Sequence, residues 1–252
     1  MMNLVGRTAI VTGAARGLGR TYAQKLIEAG MNVVVADRSD VKETLELMYG
    51  AGKALGVSVN VADIKSVTAM AEQALGAFGR IDVLVNNAAL YGGLKGGRAE
   101  LIDEDEWDRV MAVNVKGVWN CCRAVIPAMK KQGGGSIVNV ASLAAIYGLP
   151  YALHYSASKA AVIGITRALA RELGRDWIRV NAIAPTAVLT EGTKEFFGAK
   201  FEKGMVSIRE NQSLKRNLEA EDLAGTVLYL AGDASKFVTG QTIMVDGGTQ
   251  FL

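Results

Sequence analysis

Short runs of valine, isoleucine, alanine and threonine alternate along this chain with longer stretches of helical periodicity. Strands are predicted near 8–12, 32–37, 54–60, 82–86, 136–140, 179–183 and 243–245, with helices between most of them. No long linker, low-complexity tract or internal repeat interrupts the alternation. Apolar runs this continuous need cover on both faces, so the pattern predicts an α/β fold: one doubly wound domain over 1–252 with a seven-stranded parallel sheet. The segment 186–212 departs from the rhythm, carrying Phe196, Phe197, Phe201 and Met205 among charged residues and glycines. It reads as a lid over a site, with a helical insertion serving stability alone as the alternative.

Composition narrows the function classes. With 252 residues and 50% hydrophobic content, the chain can bury a sizeable core. A net charge of +3, spread over basic residues interspersed with acids, offers no clustered stripe for nucleic acid. The first strand begins at Thr8, leaving no room for a secretory leader, and no charge-free apolar stretch reaches membrane-spanning length; a cytoplasmic protein is expected. Cys121 and Cys122 are adjacent, with neither zinc nor redox spacing, and read as buried reduced thiols in a helix. His154 is the only histidine, which argues against nucleophile triads and zinc sites, and no metal is expected. Its expected role is at the surface or in packing, ahead of contact with a substrate or a neighbouring subunit.

The turn Thr12-Gly13-Ala14-Ala15-Arg16-Gly17-Leu18-Gly19 follows the first strand and precedes an amphipathic helix over 20–29. Glycines there permit a sharp bend and let backbone N–H groups approach a pyrophosphate, while the helix N-terminus presents partial positive charge. Asp37 ends the second strand, close to the spacing at which an acid accepts hydrogen bonds from an adenosine ribose. A 2′-phosphate in that place would stand about 4 Å from a like charge, costing roughly 4 kcal/mol at an effective dielectric of about 20. NAD is therefore favoured over NADP.

Three Tyr-Lys pairs share a four-residue spacing. Tyr49…Lys53 and Tyr91…Lys95 enclose glycines that disfavour a helix, whereas Tyr155…Lys159 lies in a long stretch rich in small residues, so only this pair is expected to project from one helical face. A free phenol is only about one part in a thousand ionised at neutral pH. An ammonium one turn away and the positive ring of an oxidised nicotinamide both favour phenolate, and bringing the phenol from about 10 to about 7 takes roughly 4 kcal/mol. Tyr155 is thus a candidate general base for alcohol oxidation, or acid for ketone reduction. Ser142 ends a strand-like run thirteen residues earlier, where open α/β sheets place their chemistry, and is positioned to donate to a substrate oxygen.

These positions resemble the short-chain dehydrogenase/reductase family, and the likeness runs over nearly the whole chain. It extends to Asn86-Asn87-Ala88, to Asn114 in Asn114-Val115-Lys116-Gly117, to Pro185…Thr190 and to the stretch from Val238 to Gly248. The resemblance implies a Rossmann-type domain in which Asn60 and Val61 border the adenine and Asn87 and Ala88 line the cofactor ribose. Val188 and Thr190, following Pro185, would hold the nicotinamide carboxamide. Lys159, beside Tyr155, would grip the nicotinamide ribose, and Asn114 would hold a water linking Lys159 to solvent. Asp63 reads more simply as a helix N-cap. Arg16 occupies a slot where NADP-preferring relatives often carry a basic residue, and Arg38 follows the acid directly; Arg38 is read as stacking on the adenine and Arg16 as facing solvent or phosphate. The family commonly has Gly where Ala89 and Thr186 stand here, which would narrow or polarise the nicotinamide pocket. Relatives also pair the helices around 107–131 and 155–174 in a four-helix contact. Ala157, Ala161, Gly164 and Ala168 then predict a homotetramer, with a dimer second.

Three functions follow. The first is an NAD-dependent oxidoreductase acting on a secondary alcohol or its ketone. Leu90, Tyr91, Leu143, Ile146, Tyr147, Leu149 and the lid aromatics suggest a hydrophobic or aromatic small-molecule substrate. The second is an NADP-dependent 3-oxoacyl thioester (acyl-carrier-protein) reductase. The third is a non-catalytic dinucleotide-binding sensor, which should lack the intact Tyr/Lys pair.

Overall fold

Strands that are apolar along their whole length must be covered on both sides, and the chain achieves this with one twisted sheet between two helical layers. The computed structural model describes residues 3–251. The strands are β1 (Thr8–Thr12), β2 (Asn32–Asp37), β3 (Ala54–Ser58), β4 (Val83–Asn86), β5 (Gly135–Val140), β6 (Ile178–Pro185) and β7 (Thr242–Val245). They form a seven-stranded sheet in the order β3-β2-β1-β4-β5-β6-β7, and every neighbouring pair is parallel. The helices are α1 (Gly17–Glu28), α2 (Lys42–Glu46), α3 (Ile64–Phe78), α4 (Glu104–Met111), α5 (Gly117–Lys131), α6 (Ala144–Tyr147), α7 (Leu153–Leu173), α8 (Glu191–Phe197), α9 (Phe201–Asn211) and α10 (Ala220–Ala231).

The period-2 alternation of side chains divides the interior into two cores. Ile10, Val34, Leu84 and Ile137 pack with residues of α3, α5 and α7 on one face. Val11, Val33, Val83 and Val138 pack with residues of α1 and α10 on the other. Each fully buried aliphatic side chain contributes about 1.5–3 kcal/mol, so strand register is firmly set. Cys121 and Cys122 are buried free thiols within α5. No helix among the described residues is long and apolar enough to cross a membrane.

The boundaries differ from expectation by a few residues, each for a local reason. β3 ends at Ser58; the Val59 N–H still pairs with the Asp37 carbonyl, and at Asn60 the chain leaves the ladder, its N–H donating to Ser66 Oγ and its side chain accepting from the Ala62 N–H. The first helix starts at Gly17, not at residue 20: the glycine turn itself supplies its first turn, and no side chain caps it. Asp63 caps α3 as expected, accepting from the Lys65 N–H at 2.9 Å.

After β3 the chain crosses back to place β4 on the far side of β1. The connections leaving β1 and β4 therefore diverge, opening a crevice at the carboxyl ends of these two strands, where such sheets bind ligands.

Candidate active site

The glycine turn forms the floor of this crevice. Gly13 has φ +68° and a Cβ there would lie 2.7 Å from Ala88 Cα, while one on Gly19 would strike the Gly13 carbonyl. Above Gly17, with φ +56°, nothing approaches a Cβ closer than Thr190 at 3.9 Å. Two glycines thus pack the turn against β4 and the third leaves open space at an uncapped helix N-terminus, a fit for a pyrophosphate. Thr12 Oγ1 accepts from the N–H groups of Asn87 and Ala88, both at 3.1 Å. Asn87 Nδ2 donates to the carbonyls of Thr12 and Gly13, so this side chain braces the turn as well as facing the crevice.

Asp37 Oδ2 accepts from Ala15 N–H at 3.0 Å and Oδ1 from Ser39 N–H at 2.9 Å. Asp40 and Glu43 stand at the same end of the crevice, and Arg20 is committed to Glu43 by a two-point contact of 2.8 and 2.9 Å. This end, where a cofactor ribose is expected, thus carries three carboxylates against the two guanidiniums of Arg20 and Arg38, and its balance is acidic. Arg16 is turned away from it: its guanidinium grips Glu195 of α8 at 2.5 and 2.9 Å and lies 3.6 Å from Glu191. Arg16 remains half exposed at the crevice and adds an ion pair with the segment over it.

The crevice has a volume of about 720 Å³, ample for a dinucleotide half and a small substrate. Of the residues picked out from the sequence as catalytic or cofactor-binding, all but Gly19 and Asn114 line it. Gly19 is packed beneath the turn, and Asn114 is buried behind the wall. The chain reaches Asn114 through a single π-helical turn at Ala112–Lys116, a distortion that often marks functional sites. Asn114 Oδ1 accepts from Leu90 N–H at 2.7 Å, and Nδ2 donates to Leu90 O and Ser158 Oγ, both at 3.1 Å. It therefore ties the loop after β4 to α7, a bracing role added to the water-holding one that the resemblance implies.

Tyr155 and Lys159 project from one face of α7, with Lys159 Nζ 5.8 Å from the Tyr155 ring centroid and donating to the Val140 carbonyl at 2.7 Å. Both are almost fully buried. Burial pushes the Tyr155 phenol well above its ordinary value, with Tyr91 and Tyr147 adding to the rise and a hydrogen bond with Ser142 opposing it. Burial pulls the Lys159 ammonium down to about 8. Burial thus opposes the acidified phenol expected from the Tyr-Lys spacing.

The other two Tyr-Lys spacings sit in irregular segments, yet Tyr91 reaches the site by another route. Its ring lies 5.1 Å from that of Tyr155 and stacks on Phe196 at 4.7 Å, with Phe196 edge-on to Phe197 at 5.4 Å. Leu90, Leu143, Tyr147 and Leu149 line the crevice beside them, whereas Ile146 packs toward the sheet core. His154 is in the interior, not at the surface: it is wholly buried, with Nε2 2.8 Å from Glu106 Oε1. Nothing in its local sequence marks Glu106, at the start of α4, as the partner.

A glycine turn at a switch point, an acidic ribose end and a Ser-Tyr-Lys wall define the class: an oxidoreductase that binds a nucleotide cofactor. Comparison with known proteins agrees. Residues 13–250 match a family model described as enoyl-(acyl carrier protein) reductase. The chain is 44% identical over 245 residues to an "uncharacterized oxidoreductase" of Mycobacterium tuberculosis, covering 96% of each. It is 40% identical over 247 residues to a 3-oxoacyl-[acyl-carrier-protein] reductase of Staphylococcus aureus, covering 96% of this chain and 97% of that one. Among solved structures, a 3-ketoacyl-(acyl-carrier-protein) reductase from Brucella melitensis complexed with NADH superposes with a TM-score of 0.90 at 35% identity, covering 99% of this chain and 100% of that one. The chain belongs to the short-chain dehydrogenase/reductase family.

Proposed function

We propose that the protein is an NAD-dependent oxidoreductase that interconverts a hydrophobic or aromatic secondary alcohol and its ketone, with Tyr155 as general acid/base. The observation that carries this reading is the juxtaposition of Ser142, Tyr155 and Lys159 on one wall of a crevice whose other end is acidic. A bound nicotinamide dinucleotide supplies the hydride acceptor or donor.

The chain's own residues handle the proton. Ser142 Oγ and Tyr155 Oη converge on the substrate oxygen. In the reducing direction, a buried phenol is the form required, since it stays protonated at neutral pH and can hand its proton to the nascent alkoxide. In the oxidising direction the phenol must lose that proton. Lys159 and the positive ring of the oxidised cofactor are the two charges that oppose the burial penalty, and every tenfold gain in phenol acidity requires about 1.4 kcal/mol from them. Lys159 also holds the nicotinamide ribose, with Asn60 and Val61 against the adenine and Val188 and Thr190 against the carboxamide.

Asp37, Asp40 and Glu43 at the ribose end, and the commitment of Arg16 and Arg20 to glutamates, favour NAD over NADP. The Tyr91, Phe196 and Phe197 rings favour an apolar substrate. The segment 186–212 acts as a lid on a single catalytic domain, and the assembly is a cytoplasmic homotetramer.

A second reading, reduction of a 3-oxoacyl thioester, is favoured by the activities named for the Staphylococcus and Brucella proteins. Oxidation of NADH and of NADPH by a panel of ketones against acetoacetyl thioesters separates the two: preferential turnover of the thioester, above all with NADPH, supports the second. The intact Tyr/Lys pair disfavours a non-catalytic sensor. For the reaction itself, Tyr155→Phe should lower kcat by about 10²–10⁴ with dinucleotide Kd unchanged. Full turnover by this variant would overturn the proposal.

A further inference from the structure

Glu106 is an almost fully buried carboxylate with a divided set of partners. Oε1 meets His154 Nε2 at 2.8 Å, and Oε2 accepts from Lys95 N–H at 3.3 Å; the Gly96 N–H also donates to the carboxylate. A charge in the interior persists only when so satisfied. One end of this bridge is the residue next to Tyr155 in the first turn of α7. The other end is the loop that carries Tyr91.

Two backbone features fasten the same loop to the same helix. Gly97 N–H donates to the Tyr151 carbonyl at 2.8 Å, just before α7, and Gly96 approaches that carbonyl so closely that a Cβ would lie 2.5 Å from it. Tyr151 itself holds φ +63°, a left-handed conformation costly for a tyrosine. Strain retained at this junction implies that the surroundings fix it. The loop and the helix joined here carry Tyr91 and Tyr155, whose rings are in contact at 5.1 Å.

We propose that Glu106 and His154 are positioning residues that hold the Tyr91 ring packed against Tyr155, and thereby decide which substrate shapes reach the phenol. Neither touches the reacting atoms. Packed in this way, the Tyr91 ring is a fixed wall beside the phenol against which a flat ring-bearing ketone can rest; a displaced ring leaves a wider approach that accepts small open-chain ketones equally well. The inference rests on the acid/base role proposed for Tyr155.

The test is a double-mutant cycle in the full chain between Glu106→Ala and Tyr91→Ala, read with one cyclic and one small open-chain ketone and with NADH affinity followed by fluorescence. Glu106→Ala should raise KM for the cyclic ketone about tenfold, with kcat and NADH Kd within about threefold, and Glu106→Gln should recover most of the loss. In the Tyr91→Ala background the effect of Glu106→Ala should disappear. If Glu106→Ala does not fold, His154→Gln takes its place in the cycle. Additive effects, or equal losses for both ketones and for NADH binding, mean that the pair is merely structural and overturn the inference. Full turnover by Tyr155→Phe would instead overturn the underlying reading, so the two failures are distinct.

Discussion

Arg16 and Glu195, 179 residues apart in sequence, meet side to side as a two-point ion pair of 2.5 and 2.9 Å. The contact joins the glycine turn to α8, so a guanidinium that lines the crevice is also the anchor of the segment above it. Both side chains are about half exposed, which limits the pair to about 1 kcal/mol of stability. Its larger consequence is for cofactor choice.

Replacing Glu191 and Glu195 together by glutamine frees Arg16 to approach a 2′-phosphate. The kcat/KM ratio for NADP over NAD should rise about fivefold, the equivalent of roughly 1 kcal/mol. The thermal midpoint should move by only a few degrees. An unchanged ratio would show that Arg16 has no part in selectivity.

One substitution at Asp37 should have two effects that separate measurements resolve. Asp37→Ala removes the like charge facing a 2′-phosphate, so relative NADP use should increase by about 10²-fold or more. It also strips acceptors from the N–H groups of Ala15 and Ser39, which should cost roughly 1–3 kcal/mol in chemical denaturation. Persistent NAD preference in the variant would mean that the discrimination lies elsewhere.

Stability should decline in alkali, and the sign follows from three buried groups. Lys159, depressed from 10.5 to about 8, binds fewer protons folded than unfolded, so its contribution rises with pH between those values. The thiols of Cys121 and Cys122 are raised from 9.0 by burial, Cys122 to about 12 and Cys121 further; the folded state keeps protons that the unfolded chain releases, and stability falls above pH 9. Two thiols outweigh one ammonium. Calorimetric midpoints should therefore hold or climb slightly from pH 8 to 9 and drop beyond, with a shallower drop in Cys121→Ala. Midpoints that climb through pH 10 would contradict the assignment.

The outer face of α5 and α7 leaves Trp119 and Leu153 exposed, and a Cβ on Gly164 would meet open space. Light scattering at micromolar concentration should give about four times the 26.7 kDa chain mass. Ala168→Glu, adding a charge to this face, should shift the protein to smaller species. A monomeric parent chain would rule out the assembly.

How far sequence alone reaches depends on the distance between partners along the chain. Val33 to Ala36 read as a buried strand because neighbouring residues carry the pattern themselves. The turn around Gly13 and Gly17 is legible because its use depends on local backbone geometry and on the strand and helix that flank it. His154 is not, because its surroundings come from α4, 48 residues earlier, which no periodicity in α7 can report. Ile146 reads as a substrate-pocket residue and instead packs, partly buried, against the sheet core, because an apolar side chain on a short helix has two possible destinations and only packing chooses between them.

Alone, then, the order of residues determined the seven strands, the parallel sheet, the dinucleotide turn and the shared face of Tyr155 and Lys159, since each arises from hydrophobic period or from spacing within one turn of helix. The tertiary structure decided the rest: that Arg16 is held by Glu195, that Tyr91 packs between Tyr155 and Phe196, and that burial raises the Tyr155 phenol and lowers the Lys159 ammonium. Those outcomes depend on desolvation and on contacts between distant segments. Both come into being only when the crossover from β3 to β4 brings the loops together.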